Sequence, residues 1–311
     1  MSFAKRGLRY VIELNKGGLA DSNDQARFDG GSDKLDIQAI RSVASIQSVL
    51  GGDTAFGGSA LLQLWGMKPS DMAQLSTLGF NMSRYNKNRI TVYAYDIGSE
   101  NSQVEVFTGG IFTTRINYNA MPDVSLELEC SATIGLQAQS VAGTSVPGTG
   151  DVATMLQGIC AACDPPLTLM NTGVTAKLAN HAVGGSAFDQ IDDICCAAGV
   201  PYKVQGDTLT IWPNGTNVDG VVVTTGPENG MVGYPEYTQM GLDVTMAFNP
   251  EVQPGRQLKI LKSTAANGFP VPGVPGTFWI NIVAHELSAE MPDGPWFTHA
   301  SVSEIQIVGR N

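Results

Sequence analysis

The chain has 311 residues, 15% of them charged and 43% hydrophobic, with 36 glycines, 16 prolines and a net charge of −11. That length suffices for two or three domains with real cores, and so few charges beside so many apolar residues exclude a disordered chain. The 29 acidic against 18 basic residues argue against tight binding of nucleic acid through its phosphates, which calls for a basic excess.

The same acidic balance suits a surface that DNA passes without sticking, though ordinary solubility is the commoner reason for such a balance. No apolar run approaches the ~18 residues that would span a bilayer. Lys5, Arg6 and Arg9 are followed by Glu13 and Lys16, which interrupt any signal-like stretch. The expectation is a chain made and folded in a cytoplasm, without a membrane anchor.

Residues 1–140 read mostly as β. Leu8, Tyr10, Ile12 and Leu14 alternate with Arg9, Val11 and Glu13, the period of a half-buried strand. Leu35, Ile37 and Ala39 repeat the pattern. Gly51 to Gly58 reads as a flexible loop, and Pro69-Ser70-Asp71 as a helix start with Met72, Leu75 and Leu78 on one face. Ile90, Val92 and Ala94 begin another strand. Val104 to Phe107 and Ile111 to Tyr118 flank Gly109-Gly110, a turn or bulge signal. Val124, Leu126, Leu128 and Cys130 alternate with Ser125, Glu127, Glu129 and Ser131, one face core and the other wet or covered by a partner.

Residues 140–150 read as a linker by composition. Asp151 then N-caps a helix whose apolar face is Val152, Met155, Leu156, Ile159, Cys160 and Cys163, stopped by Pro165-Pro166. Ser186 with Asp189 resembles a capping box, Phe188, Ile191, Ile194 and Cys195 form the apolar side, and Gly199 is the C′ residue. A hairpin follows, Val200 to Gln205 and Thr208 to Trp212, about the two-residue turn Gly206-Asp207.

From Asn214 the chain is β again. Val221 to Thr225 is a strand. Leu242, Val244, Met246 and Phe248 alternate; Asn249-Pro250 and Pro254-Gly255 bound a connection; Leu258 and Ile260 resume the alternation. Phe278, Ile280, Ile282 and Ala284 alternate with Trp279, Asn281, Val283 and His285, and the last strand lies near Val302 to Val308. The expected fold is mainly β with a small α+β domain: residues 1–143 β, 144–214 α+β, 215–311 β.

The sequence offers little chemistry. It contains no phosphate-binding glycine loop, no dinucleotide fingerprint and no Gly-x-Ser-x-Gly elbow. His285-Glu286 begins like a zinc-protease motif, but position 289 is Ala where a second His is required. The five cysteines, an odd number, do not suggest a secreted disulfide scaffold. Cys160, Cys163, Cys195 and Cys196 are candidates for a metal or cluster site or a disulfide; the favoured reading is core packing, with Cys160, Cys163 and Cys195 on the buried faces of two helices that pack together, and adjacent cysteines are unlike zinc knuckles. His181, placed in a polar loop, and His285 and His299 read as structural or surface residues. Glu127, Glu129, Asp192 and Asp193 are the carboxylates from which a glycosidase pair would come, and alternating or helix-surface carboxylates are ordinarily solvated. No catalytic, cofactor or metal residue is assigned.

Ordered segments carry a resemblance. They are Ala60-Leu-Leu-Gln-Leu-Trp-Gly66 before a short helix, read as a barrel loop region; Ile90 to Tyr95; Val106-Phe-Thr-Gly-Gly-Ile111; and Met121-Pro-Asp-Val-Ser-Leu126. Ala187 to Trp212 follows, then Gly233-Tyr-Pro-Glu236, Phe248-Asn-Pro250, Pro254-Gly-Arg256, Phe278 to Leu287, and Trp296 with Thr298. In this order the set resembles the baseplate hub proteins of tailed phages, related to type VI secretion spike proteins. The resemblance implies two tail-tube-like β-barrels flanking the helix-plus-hairpin unit, and a homotrimer acting as a structural adaptor between a sixfold tail tube and a threefold spike. It further implies a virion location in the tail baseplate after assembly in the host cytoplasm. The implied partners are tail tube protein, central spike, other baseplate proteins and the tape measure protein, with genomic DNA passing during ejection. The alternatives are a distal-tail or tube-completion protein and a tail-associated peptidoglycan hydrolase. The Gly51 to Gly58 loop and the cysteine cluster are not part of the resemblance.

Overall fold

The computed structural model describes residues 6–14, 28, 32–50, 58–76, 88–96, 103–119, 121–239, 241–261, 276–306 and 308. Residues 51–57 of the expected loop and Leu78 lie outside them. The first elements are β1 Arg6–Glu13, β2 Lys34–Gln38, β3 Ser42–Val49, β4 Gly58–Trp65, α1 Pro69–Ser76, β5 Arg89–Asp96, β6 Val104–Asn117, β7 Ser125–Ser131 and the one-turn helix α2 Ile134–Gln137. The middle holds β8 Thr144–Asp151, α3 Val152–Ala162, β9 Thr168–Asn171, β10 Lys177–Val183, α4 Ala187–Ala198, β11 Tyr202–Gln205 and β12 Thr208–Ile211. The chain ends with β13 Val222–Thr225, β14 Glu236–Thr238, β15 Gly241–Ala247, β16 Gln257–Ile260, β17 Gly276–Ala289 and β18 Trp296–Ser303.

The protein is mainly β, as expected. One sheet runs β14-β15-β18-β17-β3-β4-β7-β6-β5-β1-β2, with β13 and β16 branching from β17. No closed barrel of hydrogen-bonded strands is formed among the described residues; the expected barrels take the form of rolled sheets. Apolar alternation drives the roll. Leu8, Tyr10 and Ile12 of β1 share a buried cluster with Leu62, Leu64, Leu126 and Leu128, and with Leu287, Ala289 and Trp296 from the far end of the chain. A second cluster gathers Val244, Met246, Leu258, Ile260, Phe278, Ile280 and Val302.

The two rolled sheets repeat one another. In each, a long strand pairs with one neighbour along its first half, leaves it, and pairs with the following strand along its second: β6 leaves β5 at Gly110 and goes on with β7, and β17 leaves β16 at Trp279 and goes on with β18. Each long strand carries a bulge at the same place. On β6 the register against β7 shifts between Ile111 and Thr113; on β17 the register against β18 shifts between Ile280 and Ile282. By these registers β7, β4 and β3 correspond to β18, β15 and β14. The second half of β17 pairs antiparallel with β3, from Ile282↔Val49 to Ala289↔Ser42, and so splices one sheet to the other.

The middle unit has its own core of Leu156, Cys160, Phe188, Ile191, Cys195, Leu209 and neighbours. Its caps are the expected ones. Asp151 accepts the Thr154 N–H, Ser186 and Asp189 form a complete capping box, and Gly199 takes φ 63° past the end of α4. The hairpin turns at Gly206-Asp207 between β11 and β12.

Six expectations are corrected. The expected linker at 140–150 is from residue 144 onward the strand β8, antiparallel to β10; small and polar residues form a strand here because the partner strand supplies the hydrogen bonds composition cannot show. His181 therefore lies on a strand, not in a loop. Gly109-Gly110 does not divide two strands: β6 is continuous, and its bulge lies just beyond. Ala60 to Trp65 is the strand β4, not a loop region. The last strand is Trp296–Ser303, because Trp296 is drawn into the first core. The β17 bulge also switches faces, so the buried residues are Phe278 and Ile280 before it but Val283, His285 and Leu287 after it.

Candidate assembly site

Three units meet at a small buried cluster of Leu50, Trp212 and Val218, one residue from each. Leu50 is anchored by its N–H to the Asn281 carbonyl at 2.8 Å. The Pro254-Gly255 connection completes the contact. Gly255 has φ +89°, and a Cβ there would stand 2.6 Å from Trp212 Cζ2, so this turn needs glycine for both conformation and space.

The hairpin β11–β12 acts as a strut between the rolled sheets. Towards the first sheet, Arg89 Nη1 donates to Asp207 Oδ2 at 2.9 Å, a second guanidinium nitrogen meets Oδ1, and Gln205 Nε2 donates to Glu105 Oε1 at 3.2 Å. Towards the second, Lys203 Nζ donates to Gln253 Oε1 at 3.0 Å. Burial, and then the nearby Arg256, hold the Lys203 ammonium below its ordinary pKa. A cleft reaches between the three units, lined by Glu105, Phe107, Lys203, Gln253, Pro254 and His285.

The outward side of the spliced sheet forms one continuous wall. The ladders place Ala247, Phe297, Glu286, Ser45, Leu61, Glu129 and Thr113 side by side across β15, β18, β17, β3, β4, β7 and β6. All are exposed except the half-buried Thr113. The neighbouring positions include Gln47, Ser59, Gln63, Glu127 and Arg115. Asn117, then Arg115, hold the Glu127 carboxyl below its usual range through side-chain hydrogen bonds at 2.7 and 2.5 Å. The wall is largely polar, carries more carboxylates than cations, and exposes Leu61 and Phe297 as large apolar side chains.

At the edge of this wall stands β14, every residue of it exposed. Tyr237 is 65% exposed, and Tyr234 and Val232 beside it are exposed too.

The sequence-level candidates scatter. Cys160, Cys163 and Cys195 are buried in the middle core and Cys196 is half-buried; all are free thiols. Burial pushes the Cys160 thiol up to about 12 and raises Cys163 and Cys195. Among the described residues, no group of three or more His, Cys, Asp or Glu is arranged to hold a metal ion. Asp192 is buried and accepts the Tyr202 hydroxyl at 2.8 Å, whereas Asp193 is exposed on the same helix. Glu127 and Glu129 belong to the wall, in a different unit. His299 Nδ1 meets Thr245 Oγ1 at 3.0 Å, and His285 is buried. Sequence reasoning placed Asp207 in the hairpin turn but missed its partner Arg89 and the strut residue Glu105, since a polar side chain carries no mark of a partner a hundred residues away.

Among the described residues, no helix is long and apolar enough to cross a membrane. Comparison with known proteins gives one family and a set of solved folds. The family model for baseplate hub gp41 matches residues 71–300. The fold is similar to a tail protein from Neisseria meningitidis MC58, with a TM-score of 0.59, 13% identity, and 94% of this chain and 96% of that one covered. It is also similar to the 43 kDa tail protein of prophage MuSo2 from Shewanella oneidensis, with a TM-score of 0.56, 10% identity, and coverage of 94% and 96%. A chain of a PdpA–VgrG complex is similar at a TM-score of 0.51 and 7% identity, covering 99% of this chain and 66% of that one. No curated protein sequence matches. With the family model covering well over half of the chain, from Asp71 in α1 to Ala300 in β18, the chain belongs to the baseplate hub gp41 family.

Proposed function

We propose that this chain is a non-enzymatic hub of a phage tail baseplate, working as a homotrimer that adapts a sixfold tail tube to a threefold spike. The observation that supports this most is the repeat inside the chain. Residues 1–143 and 215–311 carry equivalent rolled sheets with matching bulges, joined by a 144–214 unit that braces both. Three copies then present six equivalent sheets to a sixfold partner while keeping threefold symmetry for a spike. The division is not strict in sequence, since Leu287, Ala289 and Trp296 pack into the first core.

The wall of Glu127, Glu129 and Glu286 is the face we assign to the DNA conduit. Carboxylates at the surface repel phosphates and leave no binding register, which suits passage over retention. Family membership supports a place in the virion tail baseplate, beside tube, spike, tape measure and other baseplate proteins. Native mass spectrometry of the purified chain tests the stoichiometry. A trimer that captures tube or spike protein supports the hub; a six-copy ring would mark a distal-tail or tube-completion protein, and cell-wall lysis in a zymogram would mark a hydrolase.

A further inference from the structure

The repeat within the chain has an unused half. In the spliced sheet, the second half of β17 pairs with β3, so that Ser45, Ile46 and Gln47 face Glu286, His285 and Ala284. The equivalent of β17 in the first sheet is β6, and the equivalent of β3 in the second is β14. Along its Gly110–Asn117 half, β6 pairs with β7 on one side; on its other edge Gly110 still meets Arg89 and the Ile111 N–H donates to the Asn88 carbonyl at 3.2 Å, and from Thr113 to Asn117 no strand among the described residues pairs with that edge. On β14, which pairs with β15, the opposite edge is likewise without a strand among the described residues. Among the described residues, the chain thus makes one edge-to-edge contact of this kind internally and leaves the two complementary edges without a strand.

We propose that β14 of one protomer pairs antiparallel with the Arg115–Asn117 end of β6 in the next copy of this chain. This rests on the trimer reading and says which edges close it. The registers set the pairing. Counted from the bulges, Asn117, Ile116 and Arg115 occupy the places of Glu286, His285 and Ala284. Counted through β4 and β15, Glu236, Tyr237 and Thr238 occupy the places of Ser45, Ile46 and Gln47. Tyr237 therefore lies opposite Ile116, Glu236 opposite Asn117, and Thr238 opposite Arg115.

The side chains agree with this register. The tyrosine ring, 65% exposed in the isolated chain, gains a half-buried isoleucine as its cross-strand partner. Glu236 and Arg115 come within diagonal reach on the other face, opposite charges across the seam. An unpaired edge invites strand addition, and two different edges that meet head to tail close into a ring. The contact also continues the outward wall from one protomer to the next.

The test is a paired-cysteine chain, Tyr237→Cys with Ile116→Cys, oxidised and also treated with a short bis-maleimide; the five native cysteines serve as background in each single variant. Directly opposite residues bring Cβ atoms to about 5 Å, close to disulfide reach and within reach of the linker. The expected result is covalent dimers and trimers on a denaturing gel, given by the double variant and by neither single one. A native trimer whose double variant gives no cross-link overturns the edge pairing and leaves the trimer standing. Cross-linking by Tyr237→Cys alone also overturns it, since β14 would then meet its own copy. A wild-type chain that stays monomeric in native mass spectrometry defeats the trimer and the pairing together. In a parallel assay, Arg115→Glu is expected to weaken trimer association about tenfold, and Glu236→Arg in the same chain to restore it; no rescue counts against the register.

Discussion

His285 Nδ1 lies 2.9 Å from Thr298 Oγ1 at the centre of the β17–β18 ladder, between the two apolar clusters that those strands serve. Thr298 Oγ1 also accepts the Asn249 N–H at 3.1 Å, which leaves its own proton available for the ring. Phe248 meets both His285 and Trp296 edge-on, with centroids 5.3 and 5.5 Å apart. The proline-bounded connection after β15 is thereby pinned to the strand that splices the two sheets.

This geometry makes stability pH-dependent with a definite sign. Burial, and then the neighbouring His299, lower the His285 pKa to about 4 from an ordinary 6.5. Between those values the unfolded chain binds a proton that the folded chain does not, so acidification favours unfolding. The full stability is present above pH 6.5 and falls by about 3 kcal/mol as the pH drops towards 4. Denaturant melts of wild type and His285→Gln measure it. The variant is expected to lack this part of the acid loss, while the loss from lowered carboxylates such as Asp36 and Glu127 stays common to both.

Gly255→Ala is expected to cost about 2 kcal/mol, because the new methyl drives into the Trp212 ring and the residue must hold a left-handed φ. Trp212→Ala empties the three-way junction and is expected to cost about 4 kcal/mol. Unfolding midpoints by tryptophan fluorescence for the first, and by circular dichroism for the second, check both.

Removing the strut should loosen without unfolding. Arg89→Ala leaves Asp207 without its bidentate partner, at a cost of about 1 kcal/mol for a pair near the surface. Hydrogen exchange is expected to quicken in β11 and β12 while the core of α3 and α4 stays protected. Equal quickening throughout the middle unit would contradict a local strut.

The cysteines are expected to behave as core. A thiol reagent at neutral pH should label Cys196 first, because the other four are buried and their thiols are raised in pKa. Cys195→Ser should cost about 2 kcal/mol by burying a hydroxyl among apolar side chains. Elemental analysis should find no stoichiometric metal, and one zinc or iron per chain would refute this reading.

Much of the fold was legible because burial writes a period into the chain. Leu126, Leu128 and Cys130 on β7, and Leu242, Val244 and Met246 on β15, alternate without interruption, and their strands stand as read. The caps Asp151 and Ser186 were legible for a local reason: their partners lie three residues away. What escaped depends on distant pairing. The strand at Thr144–Asp151 alternates weakly and exists through β10; the β17 bulge reverses the facing of Ile282 and His285 without altering the apolar pattern. The two similar β units were expected from the resemblance and not from the residue pattern, since Ile111 and Thr113 correspond to Ile280 and Ile282 by register and bulge, while Arg115 and Ala284 at matching places share no chemistry. Of the assembly site, Gly255 was legible as a turn, but its contact with Trp212 was not.

In the proposed hub, one chain supplies two equivalent sheets and three chains complete the ring. Electron microscopy of the isolated assembly, with copy number set by native mass spectrometry, decides this. Three chains are expected, with six similar rolled sheets around a central opening faced by Glu127, Glu129 and Glu286. A stable monomer, or a ring of six chains, would contradict it.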